Sequence, residues 1–146
     1  MDMSQDRGRQ MRIWTARLLV LVIFVMNMYC IISFIFFPQN FIKAYELSGV
    51  AGITALQGIG VAFLMWNVTY PLVIVRPDRH RALYVIVLVQ QIVGLIGETL
   101  ILLTLPDGYE ILAANILRFI VFDAGGLVLL ATGFFLSRKR RIKPPA

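Results

Sequence analysis

The sequence predicts an all-α, polytopic membrane protein: a four-transmembrane-helix bundle with its N and C termini in the cytoplasm. Three observations predict it. The chain of 146 residues is 59% hydrophobic with a mean hydropathy of +0.79, against roughly 45–50% apolar residues in a soluble domain. Its charges are segregated, so that charged ends and loops alternate with apolar runs. Four of those runs reach the about 20 residues that a helix needs to cross a ~30 Å hydrocarbon core. Transmembrane β-strands would be shorter and would alternate polar with apolar residues.

The spans are expected at about 18–37, 48–75, 82–105 and 111–137, forming a single membrane domain over 1–146. Residues 1–12 and 140–146 are read as mobile tails. The first span follows a basic leader, but its apolar run exceeds the about 7–15 residues of a signal peptide and no small-residue cleavage site follows. It is read as a retained helix. Pro38, Pro77 and Pro106 end the first three spans, because proline pushes the residue before it out of the helical region. The connection at 38–47 places Phe41, Ile42 and Tyr45 at helical spacing, with Gln39, Asn40, Lys43 and Glu46 on the other side. It is expected to be a short interfacial helix on the outer surface, placed to lid the mouth of the bundle. The second span carries Gly49, Gly52, Gly58 and Gly60, which allow close helix approach. Pro71 is expected to kink that span or end it early. Asn67-Val68-Thr69 fits the glycosylation pattern but lies inside the span, so it is a false match.

Orientation follows from the bases. Twelve of the fourteen lysines and arginines fall in the N-terminal arm, the 76–81 loop and the C-terminal tail. The others are Lys43 and the intramembrane Arg118. This asymmetry puts both termini inside the cell. Trp14, Trp66, Tyr70 and Tyr84 are expected near the cytoplasmic interface, and Tyr45 and Tyr109 near the outer one, where such rings settle. The pI near 10 reflects bases at the membrane edges, where anionic headgroups account for them. Arg138-Lys139-Arg140-Arg141 is read as a topology anchor, and no nucleic-acid partner is expected. The chain holds one cysteine, Cys30, and one histidine, His80 in a loop. With no Cys/His ligand set for zinc, copper, haem or an iron–sulfur cluster, no metal and no cofactor is expected.

Three ionisable residues lie inside the spans: Glu98, Arg118 and Asp123. Each costs roughly 2.5–3.5 kcal/mol at bilayer depth on insertion scales, so intramembrane charges point to a site. At about 1.5 Å per residue, Glu98 and Arg118 both lie about 10 Å from the outer ends of their spans, Gln57 about 13 Å, and Asp123 about 7.5 Å deeper than Arg118. An ion pair between Glu98 and Arg118, with Gln57 hydrogen-bonding to either, is the economical arrangement. Tyr84, Gln91 and Glu98 share a helix face, as do Asn115, Arg118 and Phe122. Asp123 stands about 140° from Arg118 and is expected to face Gln90 and Gln91, or Gly60. The resulting ligand and proton site is a polar cavity open to the outer face, lined by Gln57, Gln91, Glu98, Asn115 and Arg118, with Asp123 at its floor. Asp123, the acid left without a base, is expected to hold a proton. The alternative is a closed polar network that fixes helix register and binds nothing.

The segments at 52–60 (Gly-Ile-Thr-Ala-Leu-Gln-Gly-Ile-Gly), 90–98 (Gln-Gln-Ile-Val-Gly-Leu-Ile-Gly-Glu) and 118–126 (Arg-Phe-Ile-Val-Phe-Asp-Ala-Gly-Gly) give the chain a layout that resembles the DoxX-like small four-span membrane proteins of bacteria. The resemblance is architectural and transfers no catalytic residue. It implies a multi-pass protein of the bacterial cytoplasmic membrane. Some relatives act as subunits of membrane oxidoreductases, which implies a partner. Small multidrug exporters use a glutamate in the first helix, absent here. They and the fluoride channels typically assemble as antiparallel dimers, which the strong basic asymmetry opposes. Three functions stay open. One is binding or transport of a small polar or amphipathic ligand, with a proton-linked form in which a cation displaces a proton or the proton is exchanged during transport. Another is a non-catalytic accessory subunit, docking a membrane-complex partner or a second copy through small residues such as Gly125 and Gly126. The last is an intramembrane enzyme using Glu98 and Asp123 as acid and base, which no nucleophile or metal supports.

Overall fold

Helix ends fall where the backbone loses a donor or must turn. The computed structural model describes residues 3–138. Helix α1 runs Met3–Phe36 and stops before Pro38. Helix α2 (Gly49–Asn67) ends where Pro71 has no N–H to offer the Asn67 carbonyl, four residues back. A short helix, α3 (Tyr70–Val75), restarts with Pro71 in its first turn, where the missing donor does no harm. Helices α4 (Arg81–Thr104) and α5 (Glu110–Leu136) are joined by a turn in which Gly108 takes φ +93°, a conformation that disfavours any side chain. Four segments, Asp6–Phe36, Gly49–Val75, Arg81–Thr104 and Glu110–Leu136, are long and apolar enough to cross a membrane. Between 11% and 28% of each apolar stretch is buried inside the molecule, so most of the apolar surface faces outward.

Two sequence expectations change. The N-terminal arm is not a tail from residue 3 onward: nothing between 3 and 12 interrupts α1, and Arg, Gln and Met are good helix formers. The tail at 140–146 and the bases beyond Arg138 lie outside the described residues. The 38–47 connection is two successive 3-10 turns, Pro38–Asn40 and Ile42–Tyr45, in place of one regular helix.

Helix α1 is the hub, packing on α2, α3 and α5, while α4 packs on α5 and on α3. Helices α2 and α4 scarcely touch. The bundle has three storeys. At the end bearing the termini, Val20, Ile23, Tyr70, Val73, Tyr84, Val87 and Leu130 form a close-packed core. Arg9 reaches Asp78 at 3.5 Å there, joining the N-terminal arm to the 76–80 loop. Tyr70 and Tyr84, expected at the interface, are 3% and 0% exposed and belong to this core. Tyr70 stacks on Phe24 with ring centroids 5.9 Å apart. The Tyr84 hydroxyl donates to the Leu130 carbonyl at 2.9 Å, which gives its polar tip a partner away from water. At the opposite end Phe34, 2% exposed, gathers Phe41 and Tyr45 edge-on at 5.7 Å each and Phe119 at 6.3 Å. The cavity occupies the middle storey.

The α4–α5 seam is keyed by three notches. Tyr84 fills the space beside Gly133, Gln91 the space beside Gly126, and Asp123 the space beside Gly94. The partners advance seven and then three residues along α4 as they retreat seven and then three along α5, which is one continuous antiparallel register. A Cβ at Gly126 would stand 3.1 Å from Gln91 Nε2, and one at Gly94 2.8 Å from Asp123 Oδ2, whereas Gly125 faces open space. Gly126→Leu and Gly133→Leu should therefore each destabilise the bundle by about 1–3 kcal/mol through overpacking, and the neighbouring Gly125→Leu by much less. Reversible unfolding in mixed micelles measures the contrast, and equal losses at positions 125 and 126 would disprove the register.

Candidate functional site

A cavity of about 350 Å³ opens where α2 and α4 diverge. Its wall draws on every helix. Asn27 and Cys30 come from α1, Phe63, Trp66 and Asn67 from α2, and Tyr70 from α3. Gln90, Gln91, Gly94 and Glu98 come from α4, and Phe119, Phe122 and Asp123 from α5. The proline break explains the shape. Below it α3 leans on α1 and α4 and closes the terminal end; above it α2 stays with α1 and leaves α4 packed on α5 alone.

Two amide devices hold the polar wall. Gln91, 8% exposed, donates through Nε2 to Asp123 Oδ1 at 2.9 Å and to the Asp123 carbonyl at 3.2 Å. Both acceptors are oxygens, so the amide is oriented and its donor capacity is used. On the other side Asn27 Nδ2 donates to Asn67 Oδ1 at 2.9 Å, and Asn67 Nδ2 donates to the Phe63 carbonyl at 2.8 Å. That second bond lies in the last turn of α2, where the proline break disturbs the backbone ladder. Two acceptors on the wall, Glu98 Oε2 and Gln90 Oε1, are buried without a hydrogen-bond partner.

Of the six residues expected at the site, Gln91, Glu98 and Asp123 line the cavity; Gln57, Asn115 and Arg118 do not. Gln57 Nε2 donates to the Ile35 carbonyl at 3.0 Å and ties α2 to α1. Asn115 sits beside the Tyr45 hydroxyl, outside the cavity. Burial pushes the Tyr45 phenol well above its ordinary range, and the Asn115 side chain opposes that shift. Arg118 is exposed. The expected Glu98–Arg118 ion pair is not formed; among the described residues the one salt bridge is Arg9–Asp78. Helical phase is the reason. Asp123 already points at α4, and a residue five positions away is turned about 140° from it. Helix α5 can offer α4 the acid or the base, and it offers the acid.

The expected opening also changes. The 3-10 turns seat Phe41 and Tyr45 over Phe34, and Tyr45 also meets Phe119 at 6.4 Å, so aromatic rings plug the end expected to be the mouth. The cavity opens sideways instead. Its rim residues Trp66, Val93 and Ile101 are 42%, 54% and 55% exposed on the outer surface of the bundle.

Sequence reasoning missed Asn27 and the structural use of Asn67. The signal was present, since each is a lone amide within an apolar run, but nothing in one helix shows that two such amides meet. Among the described residues no cluster of three His, Cys, Asp or Glu side chains is placed to hold a metal ion. The arrangement defines a helical bundle of membrane-spanning dimensions with an acid-bearing cavity between its helices. Comparisons with protein-family models, curated proteins and solved structures find no match.

The Gln91–Asp123 contact is open to a double-mutant cycle. Gln91→Leu should cost about 1–3 kcal/mol by leaving a buried carboxyl without its donor. Combining it with Asp123→Leu should recover part of that loss, with a coupling of about 0.6–1.7 kcal/mol as for other interhelical bonds in membranes. Strict additivity in unfolding free energies would show that the bond contributes nothing.

Proposed function

We propose that this is a multi-pass membrane protein that binds or transports a small amphipathic ligand in the cavity between α2 and α4, with protons exchanged on Glu98 and Asp123. In this reading the four helices cross the bacterial cytoplasmic membrane, and the arginine-bearing end with both termini lies in the cytoplasm. The observation that carries the proposal is the unpartnered Glu98 carboxylate oxygen in a cavity whose wall holds no base. A polar network kept only for helix register is stable when every member is satisfied. Glu98 has no such role, and the seam is already keyed by Tyr84, Gln91 and three glycines.

A second reading, an accessory subunit of a larger membrane complex such as the oxidoreductases of DoxX-like proteins, draws on Arg118. Its outward guanidinium is available to an acidic partner or, by snorkelling, to headgroups. The docking patch would have to do without Gly126, which is buried against Gln91.

A hydrophobic carbodiimide separates a ligand site from a closed network. It partitions into lipid and reacts with protonated carboxyls. The expected result is modification of Asp123 or Glu98 in preference to Glu46, Asp107 and Glu110, declining as pH rises and the acids ionise. Absence of labelling at both cavity acids across the accessible pH range would favour the closed network and overturn the proposal.

A further inference from the structure

The cavity's ionisable chemistry is one-sided, and in the proposed orientation its mouth faces the bilayer. Taking the amphipathic-ligand reading as its basis, we infer that the ligand is a lipophilic organic cation bearing at least one N–H, which enters laterally from the membrane between α2 and α4. Four observations converge on this class.

Charge comes first. Glu98 and Asp123 both line the cavity, and no lysine, arginine or histidine does. Glu98 sits four residues along α4 from Gly94, the glycine that faces Asp123, so it lies about 6 Å further toward the looped end. The two carboxyls are thus stacked about one helical turn apart along one wall. Ionised together in a low-dielectric site they repel each other. Protons neutralise both when the cavity is empty; when it is filled, the ammonium group takes the place of one proton and the second carboxyl keeps its own. An anionic headgroup would add a third like charge.

Hydrogen-bonding capacity points the same way. The Gln91 donor is taken by Asp123, and the Asn67 donor by the Phe63 carbonyl. Glu98 Oε2 is an acceptor that lacks a donor. A ligand N–H supplies one, and a charge-assisted bond of this kind is about twice as strong as a neutral one.

The rest of the wall suits a cation with an apolar body. Phe63 and Trp66 stack at 6.4 Å, and Tyr70, Phe119 and Phe122 add further rings. Ring faces attract cations, tryptophan most strongly. The size, about 350 Å³, falls in the small-ligand range.

The route is set by what is closed. Aromatic packing seals the looped end and the seven-residue core seals the other. Trp66, Val93 and Ile101 form an apolar, outward rim. A ligand that first partitions into lipid meets this rim directly, whereas a water-soluble polar cation does not.

The test compares three molecules of one shape: phenylbutylamine, phenylbutanol and phenylpentanoate. Each is titrated calorimetrically against the protein in zwitterionic nanodiscs, with empty nanodiscs subtracted. The amine should bind at least tenfold more tightly than the alcohol, and the carboxylate should not bind. Glu98→Gln and Asp123→Asn should each weaken the amine at least tenfold and lower its preference over the alcohol, with an unchanged helical circular dichroism spectrum as the check that the bundle is still folded. Equal binding of amine and alcohol, or preferred binding of the carboxylate, overturns the cation assignment. If the carbodiimide nevertheless labels the cavity acids, the broader ligand-site reading survives that result. If no probe binds and the acids resist the carbodiimide, both readings fall together. A charged, membrane-impermeant amine that competes as well as phenylbutylamine would overturn the lateral route.

Discussion

The notched seam between α4 and α5 is the constraint on which the site depends. Two helices of this length have few polar groups with which to choose a register, and apolar side chains slide past one another at little cost. Three glycines opposite three polar side chains remove that freedom. Shifting α5 by a single residue would drive a backbone or a Cβ into the Tyr84 ring, the Gln91 amide or the Asp123 carboxyl. Small residues let the backbones approach, and the hydroxyl and amide then reach carbonyls that would otherwise lie beyond bonding distance. The Tyr84–Leu130 and Gln91–Asp123 bonds are thus consequences of the glycines as much as of the polar residues.

The proline break supplies the second half of the design. If the second span ran on as a straight helix, its whole length would follow α1 or lie against α4. Interrupting it at 68–69 lets the two pieces differ: α3 joins the core at the end bearing the termini, and α2 stays with α1. The Asn27–Asn67 bond holds α1 to the last residue of α2, just before the break. The cavity is what remains between a seam that fixes α5 to α4 and a break that releases α2 from α4.

Much of the fold was legible in the sequence because bilayer-scale hydrophobicity and proline are local signals. The apolar runs and Pro38, Pro71, Pro77 and Pro106 place the helix boundaries within a few residues, except the start of α1, which the charged arm extends back to Met3. Helical phase put Gln91 and Glu98 on one face and turned Asp123 toward Gln91. It did not decide which of Asp123 and Arg118 faces inward, and a preference for charge pairing chose wrongly in drawing Arg118 to Glu98. Charge pairing is a weak guide when one partner has a long stem, because an arginine can lay its apolar stem along the helix surface and keep its charge outside the bundle without an internal acid. Tyr70 and Tyr84 were misplaced for a related reason. Depth alone suggested an interface, while the carbonyl and the glycine that receive Tyr84 lie on a different helix. The sideways opening depends on which helices fail to touch, a property no single segment carries.

The amide groups and the carboxyls of the cavity differ in what they do for the fold. Gln91, Asn27 and Asn67 each complete a bond that joins two elements or satisfies a backbone carbonyl, and a protein selected only for a firm bundle would keep them. Asp123 is bonded, yet an asparagine there would accept the same N–H through its oxygen without the insertion penalty of an acid. Glu98 is not bonded at its buried oxygen at all. In the proposed membrane setting a carboxyl at this depth costs roughly 2.5–3.5 kcal/mol in the charged form, a large fraction of the 5–15 kcal/mol by which proteins are typically stable. Two such acids in one cavity, one of them structurally replaceable and the other structurally idle, are therefore hard to explain by folding. Their presence fits the proposed ligand site, which requires a removable proton and a negative charge. On that proposal the requirement is chemical and belongs to the ligand.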